Sequence, residues 1–575
     1  MPVVELVAQC SIIHVITLMI LVPGGRLLAE RVGATWTPKL RFLSSFGFSS
    51  ALYGGIFAAG LTVGVPLSAL RIVLFAIISV CLAVYLTRGL WRELLEPEAC
   101  LAFGFTLLYL ILATLGSAFP SGAIANVKVD TTMNYTHLPV DNLIPYNVSR
   151  FLLEDLPPEA TDIVPGWKLT DRGPLAGVLF AVVALLSGSD EANSWLSPSP
   201  GRFFFFQAFS TVLNLLSLWS LIYVGRIYFS ARAVILALML LSTTYFFYIN
   251  VLFSWPKFAM AYFVLTGTAL VLHPRAHFVG GVFAGLGMLF HDSALFSFAP
   301  LLGAVLLGGA AFPRFARRHP GLCGLRSTVL LMLGFVAVLA PWKVYQKLHP
   351  STDSRLLYEH LFCIKDADLS GRTLRSALDE YLAKNSVTQI VSTKLYNLGY
   401  PFNPSGVING LRAHWPDPVY MARFTSEQAF FQLWWGIGGV TFVLGILGCL
   451  GSVRGKLDRD ALVYVVPALG ALVPPVILFA CRGHTVSHIW AYPAFLVIAL
   501  FAGAAADRMG VWGALLAGVS VGINLVTVAL LMFLLPPLTP VLHGSPAYFC
   551  TQSVLVGCLG LWSVICLQRE GRRKV

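Results

Sequence analysis

The segment DNLIPYNVSRFLLEDLPPEATDIVPGWKLTDRGPLAG sets Asp141, Glu154, Asp155, Asp162, Lys168, Asp171 and Arg172 between two strongly apolar stretches. A carboxylate at the edge of an apolar region suits general-base work, because partial desolvation raises its basicity. Asp141, which begins an amphipathic stretch, is the first candidate and Asp130, in NVKVDTTMNY, the second. Plainer roles fit the same residues, a helix N-cap for Asp141 and a turn for Asp130. Cations answer a different need. A guanidinium holds a phosphate through two parallel hydrogen bonds and an ammonium holds it as a point charge, so Arg172, Lys257 and Arg482 are candidate anion binders. Basic residues at span ends also snorkel to headgroups, and Trp255 beside Lys257 makes a common interfacial anchor. His291 and Asp292 interrupt an apolar region, where ionisable residues are functional by default, although a His–Asp pair closing a turn fits equally well. His484 and His488, in RGHTVSHIWAYP, have helical i, i+4 spacing, but no third ligand stands nearby. With no HExxH and no dense carboxylate cluster, substrate binding suits them better than a metal, and no metal or other cofactor is expected.

A membrane bundle must position these residues. Of 575 residues, 57% are hydrophobic and only 11% charged, with a mean hydropathy of +0.77, against about 25% charged in soluble domains. The net charge of +12 does not signal nucleic acid, because its basic residues cluster between apolar runs, at Arg26 to Arg41, Arg314 to Arg326, Arg454 to Arg459 and Arg569 to Lys574. That is the positive-inside pattern. Glu5 leads into a full-length apolar run, read as a retained helix. The ten cysteines form no CxxC pair; Cys363 and Cys481 could meet outside the membrane, but nothing in the sequence shows that they do.

Apolar runs of about 17 to 25 residues predict spans near 4–22, 46–65, 67–87, 99–118, 174–188, 203–224, 233–250, 257–273, 278–290, 293–310, 327–341, 428–450, 461–480, 486–504, 511–535 and 548–567. With the basic clusters on one side, the long polar segments 119–173 and 342–427 fall on the other, together with the polar islands at Trp255–Lys257, His291–Asp292 and Arg482–His488. The count across 174–224 misses one crossing. The short, proline-led 174–188 can be read as a half-span or re-entrant piece, which needs protein or water over its backbone.

The order of motifs resembles the GT-C membrane glycosyltransferases, in the branch of the lipid A aminoarabinose transferase and the protein O-mannosyltransferases. DNLIPYNVSRFLLEDLP and GWKLTDRGPLAG stand where that branch has an acidic residue, a tyrosine-bearing amphipathic helix, a gDW and a KPPL turn. VGRIYFSARAVILALMLLSTTYFFYINVLFSWPKF, GLGMLFHDSALFSFAPL and APWKVYQKLHPSTDSRLLYEHLF follow in order as its basic turn, its LtKGp turn and its PWy exit. The likeness covers roughly residues 101–365. It departs where the family's second acid is due, near Ser254 to Lys257, and where Arg172 and His291 replace lysines.

The resemblance implies an all-α bundle of about 13 to 16 spans, divided as residues 1–100, a catalytic module 101–341, an outer loop 342–427 and a C-terminal set 428–575. It implies a polyprenyl-phosphate-linked sugar donor and a lipid, glycan or protein acceptor. Asp141 is then the base, Arg172, Lys257, His291 and Arg482 hold phosphate, and Tyr146, Asp171, Trp255, Asp292, His484 and His488 line the substrate. The run Phe203 to Phe206, with Trp219 and Tyr223, suits a prenyl channel or a lipid-facing belt. Two rivals stay open: a lipid-linked oligosaccharide ligase using the arginines of 342–427, and a transporter or flippase, disfavoured by the absence of visible repeats. The expected location is a bacterial cytoplasmic membrane with a periplasmic site. Asn134 and Asn147 head NYT and NVS sequons. Intact-mass analysis of protein from its native membrane should find both unmodified; a glycan on either overturns the bacterial assignment and keeps the topology.

Overall fold

The computed structural model describes residues 3–118, 144–154, 172–187, 200–252, 254–311, 323–348, 355–364, 372–400, 437–455, 460–482 and 491–534, with isolated positions at 408, 412–413, 417 and 457–458. The described residues are helical and include no strand. In chain order the helices are α1 (Val3–Leu21), α2 (Pro23–Val32), α3 (Pro38–Thr62), α4 (Leu67–Thr87) and α5 (Pro97–Ala118), then the amphipathic α6 (Ile144–Leu153) and the short α7 (Leu175–Leu186). The centre follows as α8 (Pro200–Tyr228), α9 (Ala231–Ser242), α10 (Tyr245–Leu252), α11 (Lys257–Val271), α12 (His277–Phe290), α13 (Ala294–Ala311) and α14 (Leu325–Leu348). Outside it lie α15 (Arg355–Phe362), α16 (Leu374–Lys384) and α17 (Val387–Gly399); α18 (Gly439–Val453), α19 (Val465–Leu478), α20 (Tyr492–Arg508) and α21 (Val511–Leu534) close the order.

This is a membrane protein in build. Among the described residues, six helical segments are long and apolar enough to cross a bilayer, and α9 with α10 makes a seventh if their 75° bend lies within one span. Most remaining expected spans are shorter apolar helices, such as α7, α11, α12 and α18. A short helix is stable at membrane depth where protein covers it, and every residue of α11 is buried. The outer helices show the opposite. Only 11% of the α4 window is buried, and Ile72, Phe75 and Val80 are exposed apolar side chains of a lipid-facing surface.

Close packing rests on small residues where helices cross. A methyl group on Gly281 of α12 would come within 1.9 Å of the Leu331 carbonyl oxygen, and one on Gly334 of α14 equally near that of Phe278. The two backbones touch there.

Three expectations need correction. The basic stretch after the first span is helix rather than loop: Pro23 starts α2 as an N-terminal proline can, and Arg26, 2% exposed, makes two hydrogen bonds of 2.7 and 2.5 Å to Glu93. Phe206, Trp219 and Tyr223 form neither a lipid-facing belt nor a channel lining. Trp219 and Tyr223 stack on Phe42, and Phe206 packs on Phe180, all in the core. The expected exit at Trp342 lies within α14, which carries Pro341 inside it and runs on to Leu348.

The two ends of the bundle differ in charge. At one end, Glu98 at the start of α5 pairs with Lys39 of α3 at 2.6 Å and with Arg226 at the end of α8 at 3.3 Å. Arg232 and Asp507 join α9 to α20 at 3.6 Å. Basic turns that the sequence sets on one side thus meet at one end, and α8 starts from the other. Phe180, midway along α7, touches Phe205, Phe206 and Phe209 in the first turns of α8. The α7 helix, 12 residues and about 18 Å long, therefore lies beside the starting end of α8.

The centre depends on an interruption that includes residues 254–256. Asn214 of α8 donates to the carbonyls of Asn250 (3.5 Å) and Val251 (3.3 Å) at the end of α10, and accepts from the Ala259 N–H (3.2 Å) in the first turn of α11. Gln207 donates to Leu252 O at 3.4 Å. One polar helix face thus satisfies groups that a continuous helix would satisfy itself. Between the two ends, Ser254 takes φ 58°, a left-handed conformation that costs a serine about 1 to 2 kcal/mol. Asn214→Leu should destabilise the protein by about 3 to 9 kcal/mol, since three buried backbone groups lose partners at ~1–3 kcal/mol each. Equilibrium unfolding in detergent measures this, and a change below ~0.5 kcal/mol would show that the amide is not the latch.

Candidate functional site

Lys257 is the first residue of α11 and is 1% exposed. The break above sets it there. With Arg275 exposed beyond the far end, the 15 residues of α11 span about 22 Å, less than a ~30 Å hydrocarbon core. The ammonium is enclosed by protein. Its Nζ lies 3.2 Å from the centroid of the Trp255 ring and 5.5 Å from that of Tyr492. Ring faces offset part of the desolvation of a buried cation. The Tyr492 hydroxyl bonds Asn250 Oδ1, tying α20 to the same interruption. A helix N-terminus is itself a positive pole, so Lys257 adds charge where the backbone already favours an anion. Ser254, also 1% exposed, has a hydroxyl without a partner among the described residues.

Arg172 reaches this neighbourhood by a backbone fit. A methyl on the adjacent Gly173 would lie 2.2 Å from the Leu289 carbonyl oxygen, so only glycine lets the chain pass the last turn of α12 before α7 begins. Arg172 is half-buried there. His291 caps α12 and is buried; its Nδ1 accepts from the Ser293 N–H at 3.2 Å and lies 2.8 Å from Ser293 Oγ. Asp292 is half-buried in the same turn. Phe290, the last residue of α12, packs on Phe263 of α11 at 5.0 Å, which brings the His291 turn to the end where α11 begins.

The reading of residue types passes over His360. It lies in α15, outside the apolar core, with its ring stacked on Phe479 at 4.8 Å and 10°, and its carbonyl accepts from the Ala480 N–H at 2.8 Å. Phe479 in turn meets Phe296 at the start of α13, just after the His291 turn. Burial first, then repulsion by Arg172 and Lys257, lowers the His360 pKa to about 4. The imidazole is neutral at pH 7, and the fields of two cations from separate elements converge on it. The sequence signal was slight: one histidine within the amphipathic RLLYEHLF.

A covalent and polar frame holds α15 in place. Cys363 is bonded to Cys481, 118 positions along the chain, so the pair does meet. Lys394 of α17 donates to Phe479 O, and Asn397 donates to Cys481 O at 2.9 Å.

The other expected residues separate into two groups. Arg482 is exposed and occupied with α17, donating to Ser392 Oγ at 3.0 Å with its guanidinium carbon 5.0 Å from the Tyr396 centroid. Tyr146 is buried against Phe180 and Phe206 and fastens α6 to the bundle. Gly177 makes that seat possible, since a methyl there would lie 2.6 Å from Pro145 O. Ser149 is buried in α6, which closes the Asn147 sequon in the folded chain. Arg372 pairs with Glu380 at 2.6 Å. Asp130, Asp141, Asp171, His484 and His488 lie outside the described residues. Among the described residues no cluster of three or more His, Cys, Asp or Glu has metal-binding geometry.

Comparison with protein-family models, with curated proteins and with solved structures finds no match to this chain.

The His360 pKa sets a pH dependence. An unfolded histidine titrates near 6.5 and the folded one near 4, so the unfolded chain binds more protons between these values and stability rises with pH across them. The contribution is complete above about pH 6.5 and is lost as pH falls through 4, on the order of 3 kcal/mol. Unfolding measured from pH 7 to pH 4 should show that loss in wild type and a flatter profile in His360→Gln; equal slopes would show that His360 is not held neutral by burial.

Proposed function

We propose that the chain is a GT-C-type membrane glycosyltransferase, which moves a sugar from a polyprenyl-phosphate-linked donor to a lipid, glycan or protein acceptor. One observation carries this reading: a lysine buried at an interrupted helix, with Arg172 and the neutral His360 in the same electrostatic neighbourhood. An ammonium at a helix N-terminus, with a guanidinium in the same neighbourhood, makes a region of positive potential that favours an anion. A phosphate monoester or diester at the mouth of an apolar bundle is such an anion, and its prenyl tail suits the surrounding lipid.

The reaction joins an acceptor oxygen to the anomeric carbon as the bond from that carbon to the phosphate oxygen breaks. Lys257, the first turn of α11 and Arg172 stabilise the charge gathering on the leaving phosphate. Asp141 takes the proton of the acceptor hydroxyl. His360 starts neutral; bound phosphate offsets the two cations around it and lets the ring hydrogen-bond the leaving group. The bundle then has about 13 to 16 crossings, by the length of its apolar runs. Basic clusters at the opposite end and the disulfide beside the site support a periplasmic site in a bacterial cytoplasmic membrane.

The depth of Lys257 favours a second reading, a flippase for the same lipid phosphate, since transporters bind anions at the N-termini of broken helices. Purified protein with labelled polyprenyl-phosphate sugar and candidate acceptors separates the two: transfer supports the enzyme, and translocation in vesicles without transfer supports the flippase. In the enzyme, Asp141→Asn should keep donor binding and lower transfer by roughly 100- to 10,000-fold, whereas Arg172→Ala should weaken donor binding as well. Equal transfer by Asp141→Asn and wild type rejects the base assignment, and activity only with pyrophosphate-linked oligosaccharide points to the ligase.

A further inference from the structure

Ser254 combines two features that packing alone does not require. It is a non-glycine residue in the left-handed region, and its buried hydroxyl has no partner among the described residues. Buried hydroxyls are nearly always hydrogen-bonded, and strained backbone collects at binding and catalytic sites. The residue belongs to the link that turns the chain from α10 into α11, three positions before Lys257. Proline occupies the N-cap of α11 and gives no side-chain cap, so the entry to this 15-residue helix is left to other groups. Glycine would relieve the strain and leave the turn intact; serine adds one thing to it, an O–H.

We propose that the Ser254 hydroxyl is a ligand-binding group of the anion site, donating a hydrogen bond to a phosphoryl oxygen that Lys257 and the first turn of α11 hold by charge. The inference rests on the anion-site reading above and adds to it the neutral donor that fixes the phosphate's orientation. A buried ammonium attracts a phosphate from many directions, whereas a hydroxyl on a locked backbone accepts one. No bond is made or broken by Ser254, and its proton stays on its own oxygen.

Ser254→Gly removes the hydroxyl from a backbone that suits glycine better, so loss of function cannot be ascribed to misfolding. Binding is measured by titrating polyprenyl phosphate into mixed micelles of wild type, Ser254→Gly and Lys257→Met, with inorganic phosphate as a parallel arm and thermal unfolding as the control. Ser254→Gly should melt at or above the wild-type temperature and bind polyprenyl phosphate about tenfold or more weakly, the usual worth of a hydrogen bond to a charged group. Lys257→Met should lose more. Unchanged affinity in Ser254→Gly alongside weakened Lys257→Met overturns the hydroxyl contact and leaves the anion site standing. Unchanged affinity in Lys257→Met overturns the anion site and this inference with it. If only inorganic phosphate binds, and Ser254→Gly weakens it, the hydroxyl contact holds and the lipid-linked donor is rejected.

Discussion

The side chain of Asn214 is the constraint from which the centre of this protein follows. A continuous helix through residues 245–271 would satisfy its own backbone and place nothing polar inside. With the amide of α8 bonding the carbonyls of Asn250 and Val251 and the N–H of Ala259, the helix can stop and restart within protein. That restart puts an N-terminus, a lysine and a strained serine together at one buried point. The geometry also explains why Tyr492 belongs there: its hydroxyl on Asn250 ties α20 to the same interruption, and its ring lies 5.5 Å from the Lys257 ammonium.

Charge is distributed to match. At the end carrying Lys39, Arg226 and Arg232, the cations have carboxylates from other helices, so charge there ties helices together. At the other end, Arg172 and Lys257, from separate elements, both act on the His360 imidazole. Packing energy elsewhere sustains that arrangement, much of it from the close crossing of α12 and α14 and from the aromatic contacts of α3 with α8 and α11.

Much of this was legible in the sequence, and the reason is physical. Span limits follow from hydropathy, a local property: the run 67–87 coincides with α4, and 257–273 and 278–290 fall within two residues of α11 and α12. Arg172 and Lys257 stood out because a charge in an apolar context is rare. Depth was not legible. Lys257 after Trp255 looks the same in sequence whether it faces headgroups or protein, and what decides is Asn214, some 43 positions upstream. His360 was hidden for the same reason, since its environment comes from Arg172, Lys257 and Phe479. The aromatic run misled because a belt and a core have the same composition; Trp219 is buried only because α3 presents Phe42 and Phe46 to it.

The bridge between Cys363 and Cys481 also bears on the order in which the protein can be completed. The two cysteines are separated by 118 positions, so at about 5 to 20 residues per second of synthesis the first waits roughly 6 to 24 seconds for the second. In that interval α15 lacks the strand of chain around Phe479 on which the His360 ring rests, while α8, α10 and α11 have already been made. The buried Lys257 is therefore made before the segment on which His360 rests, and that neighbourhood closes only when Phe479 and Cys481 arrive. Maturation of the site is thereby tied to oxidation at one late crosslink, and a chain interrupted before Cys481 carries an open, unfinished site.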